Sequence, residues 1–275
     1  MTMRAFTFPH RLRRRSAAVL AVGLLVAATV VLGGHVVTPT PEPPAHAAVS
    51  PAATTPLPEG QPSAGSATQP QASVDTVVAA QLNRIRHLPP VSTPSKTQPV
   101  ITGDPRTQPD LFAGEFVRRL LTQDFRTPRE AHMAWVQSES AVTTEPLVVG
   151  LVPADLRDRL AVFTVSDNGD GSALVPPAGA WQTLATHAAY DTATMDQVIE
   201  PLAWRNAVAA GRVTDPGVTC RIVAATVTRH EHGSGKDTTT KSSVSVTLNL
   251  EGPPTRTTWA FVAALDVTIL PMAMS

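Results

Sequence analysis

The most suggestive chemical groups in this chain are His230 and His232, separated by Glu231. In a strand, alternate residues project to the same side, so the two imidazoles could face one ion. A closed zinc-type site needs further protein ligands, and the sequence does not identify a third. The pair is therefore read as the solvated end of a strand, and no metal site is assigned. The segment 166–172, SDNGDGS, opens like a calcium loop, with Ser166, Asn168 and Asp170 at alternating ligand positions. Its twelfth position, where a bidentate glutamate belongs, is Pro177, so a tight turn is expected instead.

Nucleophilic and cofactor chemistry find no support. There is no G-x-S-x-G elbow, S-x-x-K motif, P-loop or dinucleotide fingerprint. The single cysteine, Cys220, excludes an internal disulfide and any cysteine-cluster metal site. It falls within a strand pattern on the apolar side and reads as a small core residue. Four carboxylates could line a pocket: Asp124, Asp191, Asp196 and Asp266. Asp266 is the most notable, because it interrupts an apolar strand on the face opposite Trp259 and Phe261. Buried there, it would have a raised pKa and could act as a base. Trp204 and Arg205 stand side by side among small residues, a pairing common at interface hot spots. The candidate binding residues are thus Trp204, Arg205 and Asp266. No catalytic residue, metal or cofactor is expected.

The elements that must position these residues lie in the last two-thirds of the chain. Ten of the 12 aromatic residues fall between Phe112 and Phe261, and none lies between Phe8 and Phe112. The core therefore belongs to a domain at 110–275. Its first half reads as helices. Asp110 caps a helix to about Phe125, with Leu111, Phe112, Phe116, Leu120 and Leu121 on one face. A capping box at Thr127-Pro128-Arg129-Glu130 opens a second helix, and residues 153–163 fit a third. Residues 181–211 are ambiguous, with a helix placed at 194–210 and interrupted at Pro201. The last third alternates as strands at 218–230, 243–250 and 258–269, joined by loops at 233–241 and 251–257. Val218, Cys220 and Ile222 are expected on one face. Trp259, Phe261, Leu265, Val267 and Ile269 are expected to share another. The whole is an α+β arrangement, with helices on one face of an antiparallel meander.

Upstream, residues 1–15 carry five arginines and no acid, and residues 16–32 form an uncharged run extended by Gly33 and Gly34. At 1.5 Å per residue that run covers about 26 Å, enough for the core of a bilayer. The arginines put the amino end in the cytoplasm. The expectation is a transmembrane helix at 16–34 that stays as an anchor. The alternative is a signal peptide cleaved after Ala45-His46-Ala47. Residues 35–109 are a stalk rich in Pro, Ala, Ser and Thr, with nine prolines between Pro39 and Pro70. It cannot bury enough apolar area to offset its ordering entropy. Helical spacing of Val74, Val77, Val78, Leu82, Ile85 and Leu88 marks a short helix at 74–88 within it. The net charge of zero is the sum of +5 at the amino end and a mildly acidic domain. Direct nucleic-acid binding by that domain is not expected.

The helix LFAGEFVRRLLTQDF at 111–125, then TPREAHMAWV at 127–136 and the strands of 218–269, resemble the VirB8/TcpC-like conjugation proteins of Gram-positive type. These are bitopic proteins with an exported NTF2-like domain. The resemblance implies helices packed on a curved antiparallel sheet, and a non-enzymatic scaffold subunit of a type IV secretion-like channel. It also implies oligomers and envelope or secretion-complex partners. Residues 137–211 are longer and less regular than the family pattern. A rival reading of the same fold is an exported small-molecule-binding or ketosteroid-isomerase-like protein, which would need a deep apolar pocket with Asp266 or Asp124 nearby.

Overall fold

The computed structural model describes residues 70–89, 100–167, 173–233 and 235–273. The expected transmembrane helix, the cleavage site and most of the stalk lie outside these residues, as do Asn168 and Asp170. Among the described residues no helix is long and apolar enough to cross a membrane.

The elements run in order as α1 (Pro70–His87), a 3-10 turn (Asp104–Arg106), α2 (Pro109–Leu121), β1 (Gln123–Asp124), α3 (Arg129–Ser138) and α4 (Pro146–Val149). A 3-10 segment (Ala154–Arg159) then leads into α5 (Leu160–Ser166), followed by α6 (Ala178–Thr186), β2 (Tyr190–Ile199), α7 (Leu202–Ala209), β3 (Val218–Gly233), β4 (Lys236–Glu251) and β5 (Ala260–Met272). The five strands form one antiparallel sheet in chain order. The α+β class and the meander of the last three strands are as the alternation predicts.

Strand length departs from expectation. The 233–241 loop contracts to a tight turn, because Gly233 pairs with Lys236 and β4 begins at Lys236. Gly235 takes φ 80° there, a conformation open to glycine at no steric cost. The polar run 236–242 has no apolar alternation to announce a strand. It is held by the ladder to β3, residue for residue. Residues 194–199 are likewise strand rather than helix: Thr194 pairs with Thr226 and Ile199 with Ile222. Pairing with β3 overrides the weak local preference of this segment. A helix does follow Pro201, as α7.

Val244, Val246, Leu248 and Leu250 point into the main core, as their alternation predicts. So do Val223 and Ala225 from β3, while Val218 and Cys220 pack on the opposite side in a second apolar cluster. Ile222 is half-buried. The sheet is thus covered on both faces at one end: by α2, α3 and α5 on the inner face, and by Ala141, Val148, Val149 and Trp204 on the outer. In β5 the register shifts twice against β4, between Thr247 and Leu248 and between Asn249 and Leu250. Each bulge changes which residues face inward. Phe261, Ala264 and Val267 enter the core, while Leu265 is turned out and 36% exposed. Trp259, Phe261 and Val267 still share the core face as the alternation predicts, because the two shifts cancel; Leu265, the residue skipped at one shift, and the exposed Ile269 depart from it.

The helix starts also differ in detail. The N-cap of α2 is Gln108, and Asp110 lies in the first turn, where its carboxylate accepts from Arg221. Leu111 is exposed rather than on the buried face. The capping box at 127–130 does not form. Pro128 is the N-cap of α3 without a side-chain bond, and the Thr127 hydroxyl donates to the Asp124 carbonyl. The third expected helix is split between a 3-10 segment and α5. Ahead of the domain, α1 rests Ile85 against Leu156 and Phe163, and Arg159 donates to the Arg86 carbonyl at 2.9 Å. Ile101 is fully buried in the main core, so the packed unit begins before residue 110.

Candidate functional site

The space between helices and sheet is filled by rings. Phe116 stacks on Phe261 at 4.3 Å, on Trp135 at 5.4 Å and on Phe112 at 6.0 Å. All four are shut off from solvent. The pocket carboxylates expected there lie elsewhere. Asp266 is exposed on β5. Asp124 is half-exposed and bound by Arg126, whose guanidinium holds the carboxyl below its usual range. Asp191 is buried, but it takes two bonds from Arg229 at 2.8 and 2.7 Å. Asp196 is exposed and accepts from Thr226. The sheet brings none of these four into a common pocket.

A half-open cleft of about 260 Å³ lies instead at the hairpin end of the sheet, lined by Tyr190, His230, Glu231, His232, Asp237, Thr238 and Thr239. The register explains its composition. Tyr190, His230 and Thr239 sit opposite one another across three strands, and His232 sits opposite Asp237. The Tyr190 and His230 rings stack at 4.7 Å. Asp237 meets His232 Nδ1 at 2.5 Å. Glu231 projects to the other face, where His187 Nδ1 stands 3.8 Å from its carboxylate. The His187 carbonyl accepts from the His232 N–H, tying the end of α6 to the hairpin. Among the described residues no group of three or more His, Cys, Asp or Glu could hold a metal ion. The two histidines do share a face, as the strand spacing predicts. The sequence pattern missed Asp237, because nothing in it announced a strand at 236–242.

Trp204 is buried in the outer apolar cluster, and its neighbour Arg205 is exposed on α7. Cys220 is buried in the same cluster as Trp204, and burial pushes its thiol up to about 12. A thiol so placed is a packing group and not a nucleophile. On α7 itself, Leu202 and Val208 are also exposed, 63% and 50% respectively, so the Arg205 helix carries an apolar outer side.

Sequence reasoning missed the buried carboxylates. Glu139 accepts from the Ile101 N–H at 2.7 Å and from the Arg106 guanidinium. Arg106 also donates to the carbonyls of Ile101 and Trp259. Burial pushes the Glu139 carboxyl up, with these bonds opposing. Burial acts the same way on Glu145, but bonds from Thr214, Asp215 and Leu147 prevail and hold it below its ordinary value. Both groups fasten distant chain segments, a structural role. Asn249 is fully buried on the outer side of β4, and neither of its amide atoms has a hydrogen-bond partner.

No family model, curated protein or solved structure matches this chain.

Proposed function

We propose that this chain is a membrane-anchored, non-enzymatic assembly protein of a cell-envelope or conjugative, type IV secretion-like transfer complex. In this reading the apolar run 16–34 is a single membrane span with the amino end in the cytoplasm. The Pro-rich stalk carries an NTF2-like domain on the outer side of the membrane. The observation that carries the reading is the ring stack of Phe112, Phe116, Trp135 and Phe261 where a ligand-binding protein of this fold would keep its pocket. The helices packed on a curved antiparallel sheet agree with an NTF2-like domain. An interior filled with side chains leaves the surface as the place where the domain acts. Arg205, with Leu202 and Val208, offers the mixed apolar and charged contact that protein interfaces favour. The partners are envelope or secretion-complex proteins and further copies of this chain.

Membrane fractionation followed by cross-linking and pull-down tests the proposal. The full chain should resist extraction from membranes and co-purify with envelope proteins. A monomer without envelope partners would count against assembly. A mature amino terminus near Ala48 would overturn the anchor.

A further inference from the structure

The hairpin end of the sheet presents two imidazoles on one face. His230 and His232 are two residues apart on β3, so their Cα atoms lie about 6–7 Å from each other along the strand. Each meets a side chain of β4 through Nδ1. Asp237 bonds His232 Nδ1 at 2.5 Å, and the Thr239 hydroxyl stands 3.5 Å from His230 Nδ1. Tyr190 stacks on the His230 ring and limits its rotation. With Nδ1 facing the Asp237 carboxylate, Nε2 is the His232 ring nitrogen left to ligate. Metal-ligating histidines are oriented in the same way. The cleft beside both rings leaves room for an ion and its waters.

We propose that His230 and His232 form a two-imidazole site for a divalent transition cation, Zn²⁺ or Cu²⁺, with Asp237 as the positioning residue for His232. Imidazole nitrogen suits these ions above Mg²⁺ or Ca²⁺, which prefer oxygen. The carboxylates of Asp237 and Glu231 add a favourable local field. No third protein ligand completes the set among the described residues. The remaining coordination positions therefore belong to water or to a donor from a second molecule. His187 lies on the opposite face with Glu231 and is not a ligand. The proposal is independent of the assembly role: either can fail without the other.

Titration of the full chain with Zn²⁺ by calorimetry, and with Cu²⁺ by electron paramagnetic resonance, tests it. The expected result is one equivalent bound, with nitrogen hyperfine structure on the copper signal. The double variant His230→Ala/His232→Ala should weaken binding at least tenfold. Asp237→Asn should weaken it about 10–100-fold, the range for a lost outer-shell partner. His187→Ala should leave affinity unchanged. Unfolding midpoints without metal check that each variant still folds, as expected for side chains at an exposed hairpin. Absence of binding by the wild type overturns the proposal. So does binding that survives the double variant, which would belong to other histidines. An unchanged affinity in Asp237→Asn would overturn its positioning role.

Discussion

Lowering the pH from 7.5 to 5 should destabilise the fold by about 2 kcal/mol through one side chain, His132. It lies on α3, 6% exposed, with Nε2 donating to the Leu120 carbonyl at 3.2 Å. The rings of Trp135 and Trp181 stand 5.7 and 6.0 Å away. Burial lowers its pKa from 6.5 to about 4, partly opposed by the Leu120 carbonyl. The unfolded chain therefore takes up a proton near pH 6.5, and the folded chain only near 4. Stability from this group is fully present above pH 6.5 and drains away as the pH falls toward 4. At pH 5 the proton uptake differs by about 1.5 pK units of free energy, or about 2 kcal/mol at 1.36 kcal/mol per unit; the full loss below pH 4 is about 3 kcal/mol. Urea unfolding of the full chain, followed by tryptophan fluorescence, reads this directly, since all four tryptophans lie between Trp135 and Trp259. The comparison is with His132→Gln, which keeps a donor for Leu120 but does not titrate. Between pH 7.5 and 5 the wild type should lose about 2 kcal/mol more than the variant. Parallel losses would refute the assignment.

Asn249→Leu should raise stability by about 1–2 kcal/mol, because it removes two buried polar atoms that have no partners. A loss in denaturant midpoint instead would reveal a partner for the amide. Glu139→Ala should cost about 3 kcal/mol, since it strands the Ile101 N–H and Arg106 in a mostly buried setting. Thermal unfolding checks it, and a neutral effect would mean that the pair contributes nothing. Native Cys220 should resist a thiol reagent that reacts fully after unfolding, because it is 3% exposed with a raised pKa. Trp204→Ala should destabilise the fold by about 3 kcal/mol through a core cavity, whereas Arg205→Ala should stay within about 0.5 kcal/mol. Arg205→Ala is therefore the variant with which to probe partner binding, and a large stability loss in it would overturn its surface assignment.

Much of the candidate site was out of reach of pattern reading. His230 and His232 could be placed on one face from their spacing alone. Asp237 and Thr239 could not, because a run of Lys, Asp and Thr reads as loop until the hairpin pairs it. Tyr190 was hidden for a similar reason: its segment looked ambiguous, and only pairing with β3 brings its ring onto His230. Asp266 does lie on the face opposite Trp259 and Phe261, since the two register shifts in β5 cancel, but nothing in its own strand reveals that this part of the face is left exposed. The carboxylates of Glu139 and Glu145 carry no sequence signal, since their burial depends on partners 33 to 70 residues away.

The sequence by itself determined what rests on local composition and period. It located the core from its aromatic residues, and it specified the β4 face of Val244, Val246, Leu248 and Leu250. It also specified the α+β class and the closing run of three strands, though not β1 and β2, which fall among the helices. These are consequences of burying apolar area with helical or strand periodicity. Tertiary structure alone decided the length of the β3–β4 hairpin, the phase of β5 between its bulges, and the covering of both sheet faces by α2, α3, α4, α5 and α7. It also decided the fate of each polar residue, whether paired, exposed or buried without a partner. Those outcomes depend on non-local ladder bonds and close packing, whose energies exceed the local preferences they override.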